Sequence, residues 1–256
     1  MSKISAVAED QWLRDVDGFT LCMETTDVIT KLQNIISMYV KDRTLSSRLI
    51  EKYSCTLGYD ALSLTVAVEY PLSVVFSESL LTEYQILFRF LFKTLVFERY
   101  LMSFNVKGNA QCDRIFLIRY NMLFVLRNLR LHCTSNVIQP LVNNLKTVFS
   151  EAESIETVIS SQKKFVDSCF LECMLTNSTF LDIFASLFSC FKCFCCILES
   201  SPSSTLIIDL DEVAKQYDSS VLRLLDALQS KSVGENGYKF GMLLTTLKLN
   251  TFYSQK

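Results

Sequence analysis

The run CFKCFCC at 190–196 places four cysteines within seven residues, the densest set of metal-ligating side chains in the sequence. Zinc takes four ligands that converge tetrahedrally, normally from a turn or knuckle. The surrounding FASLFSCFKCFCCIL holds no Gly or Pro to fold a knuckle. On an unbroken helix Cys190, Cys193, Cys195 and Cys196 point in widely separated directions, so they read as structural thiols. Nucleophilic chemistry is as poorly supplied. His132 is the only histidine, and adjacent helical residues such as Cys133 do not share its face. A thiol enzyme would need a cysteine from another segment to approach His132. Asp209, Asp211 and Glu212 sit at a helix start, where carboxylates complement the helix dipole rather than serve as acid and base. GENG at 234–237 lacks phosphate-loop spacing and the Lys-Ser/Thr that must follow. Arg127, Arg130, Lys163 and Lys164 read as solvated faces or the edges of a protein interface. The sequence therefore predicts no catalytic residue, no metal and no cofactor.

Composition agrees with a scaffold rather than a reaction vessel. Half of the 256 residues are hydrophobic, while Gly (6) and Pro (3) are scarce, a profile of long helices with few turns. A net charge of −2 and a pI near 5.6 exclude the basic footprint of a nucleic-acid binder or a polybasic membrane surface. The N-terminal MSKISAVAEDQW has no apolar signal-peptide core, so the ten cysteines read as reduced, buried thiols in the cytosol.

The elements that must position these groups are helices. In residues 78–101, ESLLTEYQILFRFLFKTLVFERYL, Leu80, Tyr84, Leu87, Phe88, Leu91 and Leu95 share one side at about 100° per residue. Phe90, Phe92 and Phe97 extend the apolar surface around both flanks, leaving a narrow polar stripe of Thr82, Gln85, Arg89 and Lys93. A helix apolar on nearly every side must be covered by others, so this one is expected at the centre of a bundle. Ser77 or Ser79 caps it, and Glu78 favours its positive end.

Upstream, residues 1–18 are weakly patterned, with a possible short helix around Trp12. A helix is expected within 19–40, capped by Thr26 or Asp27 and striped by Val28, Leu32, Ile35, Ile36 and Tyr39. Leu62, Leu64, Val66 and Val68 alternate at period two, an extended segment ended by Pro71.

Downstream, Lys107-Gly108-Asn109 is a break. A helix is expected over 113–136, with Phe116, Tyr120, Leu123, Phe124, Arg127 and Leu131 on one side; Pro140 then marks a boundary or kink. Ser154 opens another helix to about Leu175, and Thr176-Asn177-Ser178 recaps a helix over 179–199. Two more fit 209–230 and 238–248, after the loose SSPSS at 200–204. The expected fold is all-α: one domain over 1–256, a bundle of long packed helices with one short extended segment near 62–70. Residues 179–199 also raise a membrane-associated alternative, but Lys192 interrupts that stretch and Asp182 and Glu199 bracket it. Membrane insertion is not expected.

Several stretches resemble the C-terminal region of the gamma-tubulin complex components, most closely the component-two subfamily. YDALSLTVAVEYPLSVVFSESLLTEYQILFRFLFKTLVFERYL (59–101) is similar to that family's extended segment ending in hydrophobic-Pro-Leu and its long core helix. FVLRNLRLHCTSNVIQPLVNNLKTVFSEAESIETVISSQKKFVDSCFLECMLTN (124–177) follows the next part, and LLTTLKLNTFYSQK resembles the family's leucine-rich close. The core of the resemblance is 59–199, with terminal helices over 209–254. At three places the sequence departs from the pattern: His132 stands where an aromatic is expected, Val142 for a Trp, and the pair Ser160-Ser161 where His is common.

The resemblance implies a helical module that binds gamma-tubulin, so that several copies side by side template the first turn of a microtubule. It implies partners among the other gamma-tubulin complex components, indirect contact with the microtubule minus end, and no nucleic acid. It implies residence in the cytoplasm and cytoskeleton at a microtubule-organising centre: a centrosome, spindle pole or basal body. Mitotic spindle assembly would be the process served, without enzymatic activity. The N-terminal helical half typical of the family is not represented in these 256 residues. Expected partner contacts are Asn250, Phe252 and Tyr253 at the chain end, with Arg89 and Lys93 on the central helix's polar stripe.

Overall fold

The computed structural model describes residues 19–23, 32–33, 62–66, 68–103, 112–199, 206–233 and 237–249. Seven α-helices are described: α1 (Glu78–Ser103), α2 (Cys112–Leu131), α3 (Gln139–Glu151), α4 (Ile155–Glu172), α5 (Ser178–Glu199), α6 (Leu206–Ser232) and α7 (Gly237–Lys248). The expected all-α bundle is what forms. Its one extended segment, β2 (Leu62–Val66), pairs antiparallel with β1 (Phe19–Met23), Phe19 opposite Val66 and Met23 opposite Leu62. The partner strand is a feature that the sequence reading missed. Of the helix expected within 19–40, only Leu32 and Gln33 are described, helical and buried. The short helix expected at Trp12, the break at 107–109 and the loop at 200–204 lie outside the described residues.

Capping follows the side chains available. The Leu80 amide donates to Ser77 Oγ at 3.4 Å, so Ser77 rather than Ser79 stands at the start of α1. Ser154 caps α4 by accepting from the Thr157 amide at 3.2 Å, and Asn177 Oδ1 accepts from the Thr179 amide at 2.9 Å at the start of α5. At the other end of α4, Met174 takes φ 63°. The Leu175 amide then reaches back to Phe170 O and the Met174 amide to Leu171 O, the paired bonds that close a helix through a left-handed residue.

Pro140 does not end its helix. Between α2 and α3 the backbone widens into a π-helical turn, His132–Ile138, and the Gln139 amide donates to Thr134 O, five residues back. Proline lacks an amide hydrogen and its ring crowds the carbonyl four residues earlier; one wider turn relieves both and lets the rod continue.

The core runs between α1, α5 and α6. Phe90 packs against Phe184 and edge-on to Phe188 (ring centroids 5.3 and 6.2 Å), Phe97 stacks on Phe188 and packs tilted on Phe191 (5.6 and 5.8 Å), and Phe191 packs against Tyr217 (6.0 Å). Offset and edge-on aromatic pairs at these separations add about 0.5–1.5 kcal/mol each beyond simple burial. Tyr217 crosses the core and donates its hydroxyl to Asn121 O at 3.0 Å, tying α6 to α2. The helices α3 and α4 form an antiparallel flank, with α4 also packing on α1.

Candidate docking surface

The groups that could do chemistry do not assemble. Along α5, Cys190 and Cys195 are buried and Cys193 and Cys196 exposed, so the four thiols face different surroundings. Among the described residues no group of three or more His, Cys, Asp or Glu gathers to hold a metal ion. His132 is buried in the π turn with Nε2 3.2 Å from Glu172 O and its ring 6.1 Å from that of Phe240. Its Nδ1 has no hydrogen-bond partner among the described residues. Burial lowers the His132 pKa and the nearby Lys239 ammonium adds to that, against the opposing bond to Glu172 O. Its neighbour Cys133 turns away and pairs instead with Cys173 across the helix interface. That thiol–thiol contact and burial hold the Cys173 pKa well above the ordinary range, and burial pushes Cys169 up to about 12. Cys169 and Cys173 are therefore protonated, inert thiols. Asp211 pairs with Arg114 at 2.5 Å and Glu212 accepts from Gln216 at 3.0 Å, both as surface partners at the start of α6.

The exposure expected of Arg89 and Lys93 is corrected. Arg89 is 3% and Lys93 9% exposed. The buried side of α1 runs through Ile86, Phe90, Lys93, Thr94, Phe97 and Leu101, turned about a third of a revolution from the stripe chosen by periodicity. The reason lies on α5: its phenylalanines pack against Phe90 and Phe97, which brings the polar stripe inward. Lys93 Nζ then sits 5.2 Å from the centroid of Phe188, where the ring face offsets part of the ammonium's desolvation. Asn250, Phe252 and Tyr253 lie outside the described residues.

The residues expected to share a side of α2 do so, and that side is the outward one. Ile115, Ile118, Met122, Val125, Leu126 and Leu129 are buried, whereas Phe116, Tyr120 and Leu131 stand exposed, with Leu123 and Phe124 half-buried between them. Both sides of this helix are apolar, so periodicity could not tell them apart. The distinguishing signal was present: the inner arc carries no charge, and the outer one interleaves Arg119, Arg127 and Arg130. Glu98 of α1, its side chain 10% exposed, organises two of these. Its Oε1 accepts from Arg127 Nε and its Oε2 from Arg130 Nε, both at 2.9 Å, and Arg130 Nη2 forms an ion-pair contact with Oε2 at 2.8 Å. Arg127 Nη2 also meets Met102 Sδ at 3.1 Å, and the Arg119 guanidinium lies 4.9 Å from the Phe116 ring centroid. Tyr100 and Met102, both exposed, extend the surface onto the end of α1.

Three clefts lie elsewhere among the described residues. One of about 240 Å³ lies between α3 and α4 beside Leu145, Val148 and Phe165, and Ser160 and Ser161 line it. One of about 390 Å³ lies between α5 and α6 beside Ser189, Lys215 and Arg223. A third of about 180 Å³ opens beside Leu171, Phe180 and Phe240. Lys163, expected on a solvated face, bridges Glu83 at 2.7 Å and Asp167 at 3.2 Å.

Such an arrangement defines a helical scaffold: packed helices with aromatic and guanidinium groups held on the outside. The chain belongs to the gamma-tubulin complex component family, matching the description "Gamma tubulin complex component C-terminal" over residues 5–253. It is similar to "Gamma-tubulin complex component 2" of Mus musculus, 27% identical over 173 residues, covering 64% of this chain and 19% of that protein. "Gamma-tubulin complex component 2" of Arabidopsis thaliana is 29% identical over 169 residues, covering 62% and 24% of the two. "Spindle pole body component alp4" of Schizosaccharomyces pombe is 26% identical over 199 residues, covering 67% and 25%. The chain thus spans about a fifth to a quarter of the length of these relatives.

Proposed function

We propose that this chain is a gamma-tubulin-binding module, which with other gamma-tubulin complex components presents gamma-tubulin for microtubule nucleation at a microtubule-organising centre. The observation that carries this reading is the family match over residues 5–253, nearly the whole helical chain. The relatives named as components of gamma-tubulin complexes and of a spindle pole body support the cytoskeletal setting. Contact with the minus end is indirect, through gamma-tubulin, and any nucleotide chemistry belongs to that partner. The chain itself acts as an adaptor and not as an enzyme, in keeping with titratable groups engaged in packing and ion pairs. Asn250, Phe252 and Tyr253 stay in the proposal as contacts; Arg89 and Lys93, being buried, leave it as direct ones.

Residues Ser178–Leu198 form the one helix among the described residues long and apolar enough to cross a membrane. Half of that window is buried, and its aromatic side packs on α1 and α6, which favours a core helix over a span. Tagged chain expressed with gamma-tubulin, with and without the other components, tests the reading: gamma-tubulin is expected in the eluate and the chain in the soluble fraction after carbonate extraction. Retention of no gamma-tubulin under either condition, or a chain left in the carbonate pellet, refutes it.

A further inference from the structure

Turned outward on α2 are Phe116, Leu117, Tyr120 and Leu131, with Phe124 half-buried among them, a stripe about 20 Å long at helical rise. A helix at the surface of a monomer normally turns a polar face to water. Along this stripe the charge is mainly positive: Arg119, Arg127 and Arg130, against Asp113 at the helix start. Glu98 and Met102 hold Arg127, and Arg119 lies over the Phe116 ring, so both guanidiniums are in position before anything docks.

The same chain carries a surface of matching character. Where α3 turns into α4, Phe149 and Ile155 stand 37% and 54% exposed among Glu151, Glu153 and Glu156, all three exposed. None of these carboxylates is in an ion pair with another described residue. Helix formation accounts for only one of them. Glu156 complements the positive end of α4, whereas Glu151 stands at the negative end of α3, where a carboxylate is unfavourable, and Glu153 belongs to neither helix. Tyr120 and Glu151 lie on the one rod formed by α2, the π turn and α3, about 45 Å apart at helical rise. The acidic tip therefore does not reach the α2 face of its own chain, but it can reach that of a second copy.

We propose that the outer face of α2 docks the α3–α4 tip of a second copy of this chain, Phe149 and Ile155 covering Leu117 and Tyr120 while Glu151 and Glu153 meet Arg119 and Arg127. This goes beyond the function proposed above and does not rest on it. Each copy offers one face and one tip, so the contact joins copies head to tail unless a two-fold pairing uses both at once. One face and one tip make a small interface, of the size that goes with weak, reversible association. Because the rim is charged and open to water, added salt weakens it.

The test is the mass of the full chain in solution, 29.3 kDa as a monomer, followed by sedimentation from about 1 to about 200 µM. Wild type is expected to gain mass with concentration and to lose that gain in high salt. Arg119→Glu and Glu153→Arg are each expected to raise the apparent Kd at least tenfold, and the exposed Leu171→Glu on α4, a control, less than twofold. Circular dichroism verifies that each variant keeps the helical content. Mixed in equal amounts, Arg119→Glu and Glu153→Arg are expected to associate again, because the first still carries the acidic tip and the second still carries the basic face. A merely structural effect of either substitution is not restored by mixing. A monomeric mass at every concentration overturns the proposal. So does association that neither charge reversal weakens, or two weakened variants that fail to associate with each other.

Discussion

Removing the Glu98 carboxylate is the sharpest test of how the α1–α2 surface is held. Glu98→Ala deletes two charge-assisted hydrogen bonds at 2.9 Å, one from Arg127 Nε and one from Arg130 Nε, and an ion-pair contact with Arg130 Nη2 at 2.8 Å. Bonds to charged groups contribute about 1.5–3 kcal/mol each when nothing replaces them, but that sum overstates this site. Arg127 and Arg130 are 49% and 35% exposed, so both swing into water and recover most of their hydration once the carboxylate is gone. Exposed pairs contribute about 0–1 kcal/mol, and breaking a buried pair costs about 3–5 kcal/mol. A carboxylate 10% exposed between two part-hydrated arginines falls between those limits, at about 2 kcal/mol. For a chain of this size that lowers the melting temperature by about 4–8 °C.

The assay is urea unfolding followed by far-UV circular dichroism. The midpoint is expected to fall with an unchanged slope, because the same surface is exposed on unfolding. High salt shrinks the difference, since the arginine ends of the network are screened. Glu98→Gln keeps the shape and one acceptor oxygen but turns an amide donor toward the second arginine, so it recovers less than half of the loss. In a double-mutant cycle with Arg130→Ala, the two losses are expected to be strongly non-additive. A Glu98→Ala midpoint equivalent to less than about 0.5 kcal/mol, within the range of ordinary surface substitutions, refutes the clamp.

Phe90→Ala removes a fully buried ring between Phe184 and Phe188 and is expected to cost about 3–5 kcal/mol in the same unfolding assay; a cost below about 1 kcal/mol would show that α1 and α5 do not pack through it. The lowered His132 pKa means that the unfolded chain binds this proton more readily. Stability is therefore expected to decline as pH falls below about 6.5, the unfolded value, and His132→Gln is expected to flatten that slope; an identical slope in both proteins refutes it. Native alkylation mapped by mass spectrometry is expected to modify Cys193 and Cys196 while sparing Cys133, Cys169, Cys173, Cys190 and Cys195. The last five are buried, with Cys169 and Cys190 pushed by burial up to about 12 and about 11; rapid labelling of Cys173 would contradict the packed α4 terminus.

What could be read from the sequence was local. Ser154 and Asn177 cap helices because a short oxygen-bearing side chain beside free amides does so wherever it occurs. The extended run at Leu62–Val66 showed its period of two, but β1 did not, because its pairing with residues some forty positions later is a tertiary event. Pro140 was visible as an interruption. That the chain answers it with a π turn rather than a break depends on His132, Cys133 and Val137 being packed in place on the inner side. The buried side of α1 was illegible for another reason. With phenylalanine and leucine around most of its circumference, the periodic signal is nearly flat, and the side facing inward is decided by where Phe184, Phe188 and Phe191 of α5 approach.

The same flatness in α2 has a functional meaning. A helix covered by its fold on one side and open to water on the other stays soluble by spacing arginines among its exposed aromatics. Tyr120 and Leu131 alternate with Arg119, Arg127 and Arg130 on the outer arc, while Ile115, Ile118, Met122, Val125 and Leu129 run uninterrupted on the inner one. Apolar content alone places such a helix in a core. Where the charges fall around its axis separates the side that folds the chain from the side turned to solvent.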